Sequence, residues 1–111
     1  MAFFTTLRRP FVADHFHDLP GFVEARHGHN WEAEVQVEAP GRDAECALDA
    51  WIRGVDYSML NDQPWMEGRN PTAEMLALRL FTFLRDQGHR PGWVRIREKA
   101  NYWAICRQEA R

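Results

Sequence analysis

The chain has few cysteines, no long apolar run and no excess of charge of either sign. Its 111 residues include only two cysteines, Cys46 and Cys106, which form no CxxC motif and are too few for the disulfide framework of a small secreted domain. We therefore predict that both are reduced and buried as small apolar residues. No segment approaches the ~20 consecutive apolar residues of a membrane span, and the first residues lack the basic start of a signal peptide. These absences predict a cytoplasmic protein with no membrane partner.

The charge balance argues against a role in nucleic-acid binding. There are 14 Lys and Arg against 16 Asp and Glu, and no block of like charge occurs. Proteins that bind nucleic acid usually concentrate positive charge in patches, which this chain does not do. The length gives room for a single domain, residues 1–111, and so small a core would gain stability from a metal or from neighbouring subunits.

Apolar and β-branched residues predict strands at both ends of the chain. Residues 3–13 form the first, and from Trp31 apolar and polar side chains alternate as in a half-buried antiparallel strand that ends at Pro40. Residues 93–98 and 102–107 predict a closing hairpin.

The rest of the chain predicts one loop and two helices. Residues 14–28 show neither the helical nor the strand spacing of apolar residues, and they contain Pro20 and Gly21, so we predict a loop. Asn70 is the expected N-cap of a helix that has Pro71 at its first position and runs to Gly88, and residues 48–60 predict a shorter helix. The order strand, strand, helices, strand, strand predicts an α+β fold.

Three histidines have the spacing of a metal site. His27 and His29 lie two residues apart, so in an extended chain both imidazoles face the same side, and His15 can supply a third nitrogen if the first two strands pair. Three protein ligands leave one position of a tetrahedral zinc ion open, as in catalytic zinc sites. The alternative is an exposed His-Gly-His loop without metal, and spacing alone does not decide between the two.

Five short motifs follow one another along the chain. They are Phe11-Val12-Ala13-Asp14-His15, His27-Gly28-His29-Asn30, Val55-Asp56-Tyr57 with Leu60-Asn61, Asn70-Pro71-Thr72-Ala73-Glu74, and Glu98. In this order they resemble the 6-pyruvoyl-tetrahydropterin synthase family, which includes the bacterial 6-carboxy-tetrahydropterin synthases. The resemblance implies the tunnelling fold (T-fold), an antiparallel four-stranded sheet with helices inserted between strands two and three. It also implies a homo-oligomer, commonly a hexamer, whose subunits close into a barrel.

The resemblance also assigns roles to residues. In relatives three histidines hold zinc, a glutamate anchors the ring of a small-molecule pterin substrate, and a short segment lines the pterin pocket. The corresponding residues are His15, His27 and His29 for zinc, Glu98 for the anchor, and Thr72 and Glu74 for the pocket. Thr72 and Glu74 also have a simpler interpretation as helix-capping residues, and Glu98 as a solvated turn carboxylate.

Two catalytic residues of typical family members are absent. The position of the usual cysteine, four residues before the His-Gly-His pair, is Val23, and Asp56-Tyr57 stands where relatives have Asp-His. Asp56 is thus the only member of the Cys-Asp-His set that remains. Tyr57 either donates a proton or fills the space of the missing histidine. These departures argue against the usual pyruvoyl-forming reaction.

Glu24 is a candidate replacement for the cysteine. The segment Glu24-Ala25-Arg26-His27 resembles a family branch in which a glutamate three residues before the first histidine is the base. That branch cleaves dihydroneopterin triphosphate to 6-hydroxymethyl-dihydropterin, a folate precursor. Zinc would favour ionisation of this carboxylate and burial would oppose it. The alternative is a loop carboxylate paired with Arg26 or with solvent.

Together these features predict a zinc-dependent carbon–oxygen or carbon–carbon lyase that acts on dihydroneopterin triphosphate or a close relative. Two alternatives stay open. One is a pterin-binding homologue without synthase activity, and the other is an enzyme like the 6-carboxy-tetrahydropterin synthase of queuosine biosynthesis. His17 and His89 are predicted to be surface histidines without a role in the site.

Overall fold

The alternating segment after Trp31 lies at the centre of a sheet in the computed structural model, which describes residues 1–109 apart from the side chains of Leu19, Phe22 and Val23. The side chain at the position of the relatives' cysteine, Val23, is therefore outside the described part. The elements are β1 Phe4–Leu19, β2 Phe22–Glu38, α1 Arg42–Val55, β3 Ser58–Met59, α2 Ala73–Asp86, β4 Pro91–Lys99 and β5 Tyr102–Arg107.

The sheet has five strands within the described residues, in the order β3-β1-β2-β4-β5. Neighbours among the four long strands pair antiparallel, and the two-residue β3 runs parallel to β1. The predicted α+β class, with helices between the second and third long strands, is confirmed. The prediction of four strands missed only β3, which is too short to leave a hydrophobic pattern.

The apolar core lies between one face of this sheet and the two helices. Helix α2 packs against β4 and β5, and α1 packs against β1. On the sheet side, the predicted alternation of β2 buries Trp31, Ala33, Val35 and Val37. The buried residues of the helices recur every three or four positions, as an amphipathic helix requires: Ala44, Leu48, Trp51 and Val55 in α1, and Ala73, Leu76, Ala77, Leu80, Phe81 and Leu84 in α2.

Glu34 is an exception on the opposite, polar face of β2, because it is only 6% exposed. Its carboxylate accepts hydrogen bonds from Arg8 Nε and from Arg95 Nη2, each at 2.9 Å. The Arg95 guanidinium also lies 4.1 Å from the centre of the Trp103 ring. The hydrogen bonds from the two arginines therefore offset the cost of removing this carboxylate from water.

The loop predicted for residues 14–28 is wrong. Strands β1 and β2 continue through this segment as a long hairpin, with His15 opposite His27, and the chain turns at Pro20 and Gly21. Gly21 has a φ of +76° there, a conformation that favours glycine. The hydrophobic pattern did not predict these strands, because His15 is the only buried residue among the described side chains of residues 14–30. No alternation of apolar and polar residues therefore marks them.

Helix α2 begins two residues later than predicted. Its N-cap is Thr72, whose hydroxyl accepts a hydrogen bond from the Met75 amide at 3.1 Å. The side-chain oxygen of Asn70, the predicted cap, instead accepts a hydrogen bond from the Asp18 amide at 2.9 Å. Asn70 therefore ties the start of α2 to β1. The predicted end is close, because Gly88, with a φ of +90°, follows the last helical turn.

Helix α1 also differs from its prediction, because it covers Arg42–Val55 rather than residues 48–60. Acidic residues in its first turn obscure the apolar stripe there. Cys46 lies on the exposed side of this helix and Cys106 is half-buried in β5, so the prediction that both are buried is wrong, although both are free thiols. Within residues 1–109, no helix combines the length and the apolar character needed to cross a membrane.

Two of the leucines of α2, one buried and one exposed, allow a matched test of this core. We expect Leu80→Ala to lower the free energy of unfolding by about 2–5 kcal/mol, because Leu80 is 0% exposed and its loss leaves a cavity. Leu78 is 43% exposed, so Leu78→Ala should change it by less than about 0.5 kcal/mol. Urea unfolding measures both, and equal effects would contradict the packing described for α2.

Candidate metal centre

The pairing of β1 with β2 brings three histidines together. His15 lies directly opposite His27 in the ladder, and His29 lies two residues further along β2 on the same face. The Nε2 atoms of His15 and His27 are 3.0 Å apart. One ligand atom from each of the three histidines lies within 4.8 Å of the others. The sheet thus brings the three imidazoles together, as the two-residue spacing of His27 and His29 indicated.

Backbone carbonyls fix the tautomer of two of these rings. His15 Nδ1 is 2.9 Å from the Pro71 carbonyl oxygen, and His27 Nδ1 is 2.9 Å from that of Ala25. A carbonyl oxygen only accepts, so we assign the hydrogen of each neutral ring to Nδ1, which leaves a lone pair on Nε2. Two lone pairs then face each other across 3.0 Å. This arrangement is repulsive unless a proton or a cation lies between them.

Burial favours a cation over an additional proton. His15 is fully buried, and burial lowers the pKa of both His15 and His29 below the usual histidine value, although the nearby Glu98 carboxylate opposes that shift. The Trp31 ring lies 5.0 Å from that of His15 and 5.4 Å from that of His29, so an apolar wall adjoins the histidines. Both rings therefore tend to be neutral, which is the form that binds metal.

The donor set fits zinc. Three imidazole nitrogens with one coordination position left over are the ligand set of many catalytic zinc sites. The carbonyls at Pro71 and Ala25 supply the outer hydrogen bonds that orient metal-binding histidines in such sites. Because Pro71 directly precedes the N-cap of α2, the helix start and the two strands position the site together.

Glu24 lies beside these histidines. Its Oε1 atom is 3.2 Å from His27 Nε2 and 3.6 Å from His17 Nδ1, yet that atom is buried and makes no hydrogen bond with the described residues. Arg26, the nearest arginine in the sequence, does not pair with it, because Arg26 Nε donates to Asp14 at 2.7 Å instead. The alternative in which Glu24 pairs with Arg26 is therefore wrong.

Glu98 reaches the same cluster from β4. Its Oε1 atom is 3.5 Å from His15 Nε2, and its side chain is 14% exposed. It is therefore not the solvated turn carboxylate that the sequence allowed as an alternative. Two carboxylates, from β2 and β4, thus adjoin the three imidazoles, and a divalent cation would offset their negative charge.

Thr72 and Glu74 both have structural contacts. The Thr72 hydroxyl caps α2, as described above. The Tyr102 hydroxyl donates to the Glu74 carboxylate, 2.7 Å from Oε1, and this bond raises the pKa of Tyr102. The pair joins the first turn of α2 to the start of β5. The capping interpretation thus describes Thr72, whereas Glu74 contacts a neighbouring strand.

Asp56 and Tyr57 contact the edge of β1 rather than the histidines. Asp56 Oδ1 accepts a hydrogen bond from the Val12 amide at 2.8 Å. Tyr57 is 84% exposed and has a φ of +56°, which is unusual for a bulky residue. Among the described residues of this chain, neither side chain has a hydrogen bond or ion pair with the histidine cluster.

Comparison with known proteins identifies the family. A family model described as 6-pyruvoyl tetrahydropterin synthase matches residues 5–109. The chain belongs to this family. A curated protein of Archaeoglobus fulgidus, named as a candidate 6-carboxy-5,6,7,8-tetrahydropterin synthase, is 27% identical over 103 residues, which cover 83% of this chain and 86% of that protein.

Solved structures of the 6-pyruvoyl tetrahydropterin synthase family share the fold. The Caenorhabditis elegans enzyme has a TM-score of 0.81 at 16% identity, with 98% of this chain and 97% of that one covered. A Plasmodium vivax 6-pyruvoyltetrahydropterin synthase, solved with alanine in place of a catalytic glutamate, has a TM-score of 0.70 at 12% identity and 99% coverage of both chains. The expected T-fold is therefore confirmed.

Sequence reasoning missed His17, which lies two residues from His15 on β1 and within reach of Glu24. The spacing of two was the available signal, but it predicts a shared face only in a strand, and this segment was expected to be a loop. The carbonyls of Ala25 and Pro71 left no signal, because a backbone contact does not depend on residue type.

The lowered histidine pKa values predict how stability depends on pH. In the metal-free protein, folded His15 and His29 take up protons only below the usual value of 6.5, whereas the unfolded chain takes them up near it. Stability present above that pH is therefore lost as the pH falls toward the lowered pKa values. Urea unfolding with a chelator, between about pH 7 and pH 5.5, should show a shallower loss for His29→Gln than for wild type. His89→Gln is the matched control, and a loss as steep in His29→Gln as in wild type would contradict this assignment.

Proposed function

We propose that this chain is a zinc-dependent enzyme that acts on the side chain of dihydroneopterin triphosphate or a close relative and releases 6-hydroxymethyl-dihydropterin. The observation that carries the proposal is the convergence of three imidazoles, with the Nε2 atoms of His15 and His27 3.0 Å apart, next to a buried Glu24 Oε1 atom that has no hydrogen-bond partner among the described residues. In this proposal His15, His27 and His29 hold zinc. When bound, the zinc ion would act as a Lewis acid toward a substrate hydroxyl.

Glu24 is the proposed base. Its Oε1 atom is buried, has no hydrogen-bond partner among the described residues and lies 3.2 Å from a ligand nitrogen, so it can receive the proton of a hydroxyl held at the centre. A carboxylate in place of the usual cysteine has support from another protein of this fold, because the Plasmodium vivax enzyme has a catalytic glutamate. Removal of the proton from the hydroxyl on the second side-chain carbon would break the bond between the first and second carbons. The second carbon would leave as an aldehyde that carries the triphosphate, and the first carbon would take up a proton to give the 6-hydroxymethyl group.

Glu98 is the proposed anchor of the pterin ring. A carboxylate can accept two hydrogen bonds from the ring amide and amino groups, and they are strong where water is excluded. Since Oε1 now lies 3.5 Å from His15 Nε2, such binding requires the carboxylate to turn toward the ring. Thr72 and Glu74 are proposed to line the same pocket from the start of α2, with the Glu74–Tyr102 pair at its side.

Within this chain the Val12 amide donates to Asp56 and the Tyr57 amide donates to the Val12 carbonyl, so in this proposal both residues act at the site of another subunit. We therefore include a homo-oligomer in the proposal, a hexamer by family resemblance, in which the exposed Tyr57 reaches a neighbouring centre. The left-handed backbone at Tyr57 supports a functional position, because strain of this kind is retained where structure or function requires it.

A 6-carboxy-tetrahydropterin synthase activity is the second candidate. The Archaeoglobus fulgidus protein, named for that reaction, favours it. Against it stands the absence of the cysteine and histidine of typical members, at Val23 and Tyr57. A homologue that binds pterin without turnover is the remaining alternative, and the identity of the product separates all three.

Glu24→Gln tests the role of the base. We expect wild type to contain about one zinc ion per chain and to convert dihydroneopterin triphosphate to 6-hydroxymethyl-dihydropterin, identified by chromatography. Glu24→Gln should retain zinc but lose turnover by about 10²–10⁴-fold, because an amide cannot accept the proton. Glu38→Gln, an exposed change on the same strand, is the matched control and should turn over normally.

Full turnover by Glu24→Gln would exclude Glu24 as the base. A 6-carboxy product from wild type would instead support the second candidate. Tight pterin binding with no product from any dihydropterin triphosphate would support the binding-protein alternative.

A further inference from the structure

A second donor group overlaps the first. Ligand atoms of His15, His17 and Glu24 also lie within 4.8 Å of one another, and the proposed function gives His17 no role. His17 and Glu24 come from opposite strands of the hairpin, so this group, like the first, is held by the pairing of β1 with β2.

A β-bulge brings Glu24 to this position. The ladder pairs His15 with His27 and then His17 with Glu24, so β1 advances by two residues where β2 advances by three. Without the additional residue, His17 would lie opposite Ala25, and Glu24 would point to the other face of the sheet. The bulge therefore places a carboxylate on the same face as the histidines.

The polar atoms of this second group lack partners. His17 Nε2 and Glu24 Oε1 are buried and have no hydrogen-bond partner in the part of the chain that the structure describes, and the side chain of His17 is only 18% exposed. The distance of 3.6 Å between His17 Nδ1 and Glu24 Oε1 is too long for a hydrogen bond. Buried polar atoms without partners are unfavourable, and a divalent cation is a partner that an imidazole nitrogen and a carboxylate oxygen can share.

The two donor groups share one nitrogen, so they can hold only one ion at a time. His15 Nδ1 is hydrogen-bonded to the Pro71 carbonyl, so only Nε2 is free to bind metal. We propose that the hairpin has two alternative positions for one divalent cation, the first at His15, His27 and His29 and the second at His15, His17 and Glu24. His15 would be the ligand that both positions share.

The second position is an inactive arrangement, about as stable as the first in the absence of substrate, a conclusion that rests on the proposed function. An ion bound to Glu24 uses the carboxylate oxygen that would otherwise accept the substrate's proton. Glu24 becomes available as a base only when the ion lies at the first position. A substrate hydroxyl that binds the ion there would favour the active arrangement.

Zinc affinity of variants tests the two positions without reference to turnover. Competition against a chromogenic chelator, with zinc as the only probe, gives the dissociation constant for each folded variant. His29→Ala removes a ligand of the first position only, so it should still bind one zinc ion, with lower affinity. Adding His17→Ala to it should weaken binding by a further factor of about ten or more, because both positions are then incomplete. His17→Ala alone should change affinity by less than about threefold.

His89→Ala in the His29→Ala background is the matched control and should leave affinity unchanged. The proposal is overturned if the His17→Ala/His29→Ala variant binds zinc as tightly as His29→Ala, or if His29→Ala already fails to bind. Those results would leave the proposed function intact, provided that wild type binds zinc and Glu24→Gln loses turnover. Conversely, a lack of turnover in wild type would not alter the affinity differences, so the two proposals can fail separately.

Discussion

Two imidazole nitrogens that face each other across 3.0 Å, each with its other nitrogen hydrogen-bonded to a backbone carbonyl, are the contact on which this site depends. The carbonyls of Pro71 and Ala25 decide which nitrogen of each ring carries the hydrogen. That assignment leaves lone pairs pointing at one position in a partly buried environment. A cation there removes the repulsion, and without one the hairpin keeps an unfavourable contact that the rest of the fold must stabilise.

The surrounding elements can be understood from that contact. The pairing of β1 with β2 places His15 opposite His27. A β-bulge, which lies between this pair and the hairpin turn, brings Glu24 to the same face. The start of α2 supplies the Pro71 carbonyl, while Asn70 ties that segment to β1 and Thr72 caps the helix. β4 adds Glu98. The polar site thus lies on the arm, the part of the β1–β2 hairpin formed by residues 14–28. Helices α1 and α2 and the apolar face of β2 form the core that holds this arm in place.

Much of this could be predicted from the sequence, for physical reasons that differ between elements. The alternation after Trp31 and the closing hairpin predicted strands because those residues have one buried face, and α2 was predicted because its apolar residues recur at helical spacing. The strands of the arm, residues 14–28, were not predicted, because backbone pairing and polar contacts hold them together. Glu24 was suggested only by the family resemblance. Two strand residues three positions apart, such as Glu24 and His27, share a face only where a bulge intervenes. His17 was missed for the same reason as the arm that carries it.

The departures from typical family members concern catalysis rather than the metal ligands, since the three histidines are retained while the cysteine and one histidine are replaced by Val23 and Tyr57. The position of the metal therefore matters first. Crystals of the zinc-loaded protein, measured on both sides of the zinc absorption edge, test this most directly. We predict an anomalous peak about 2.0–2.1 Å from imidazole nitrogens of the hairpin, with His15 among the ligands. A peak elsewhere on the chain, or none at full zinc occupancy of the protein in solution, would contradict it.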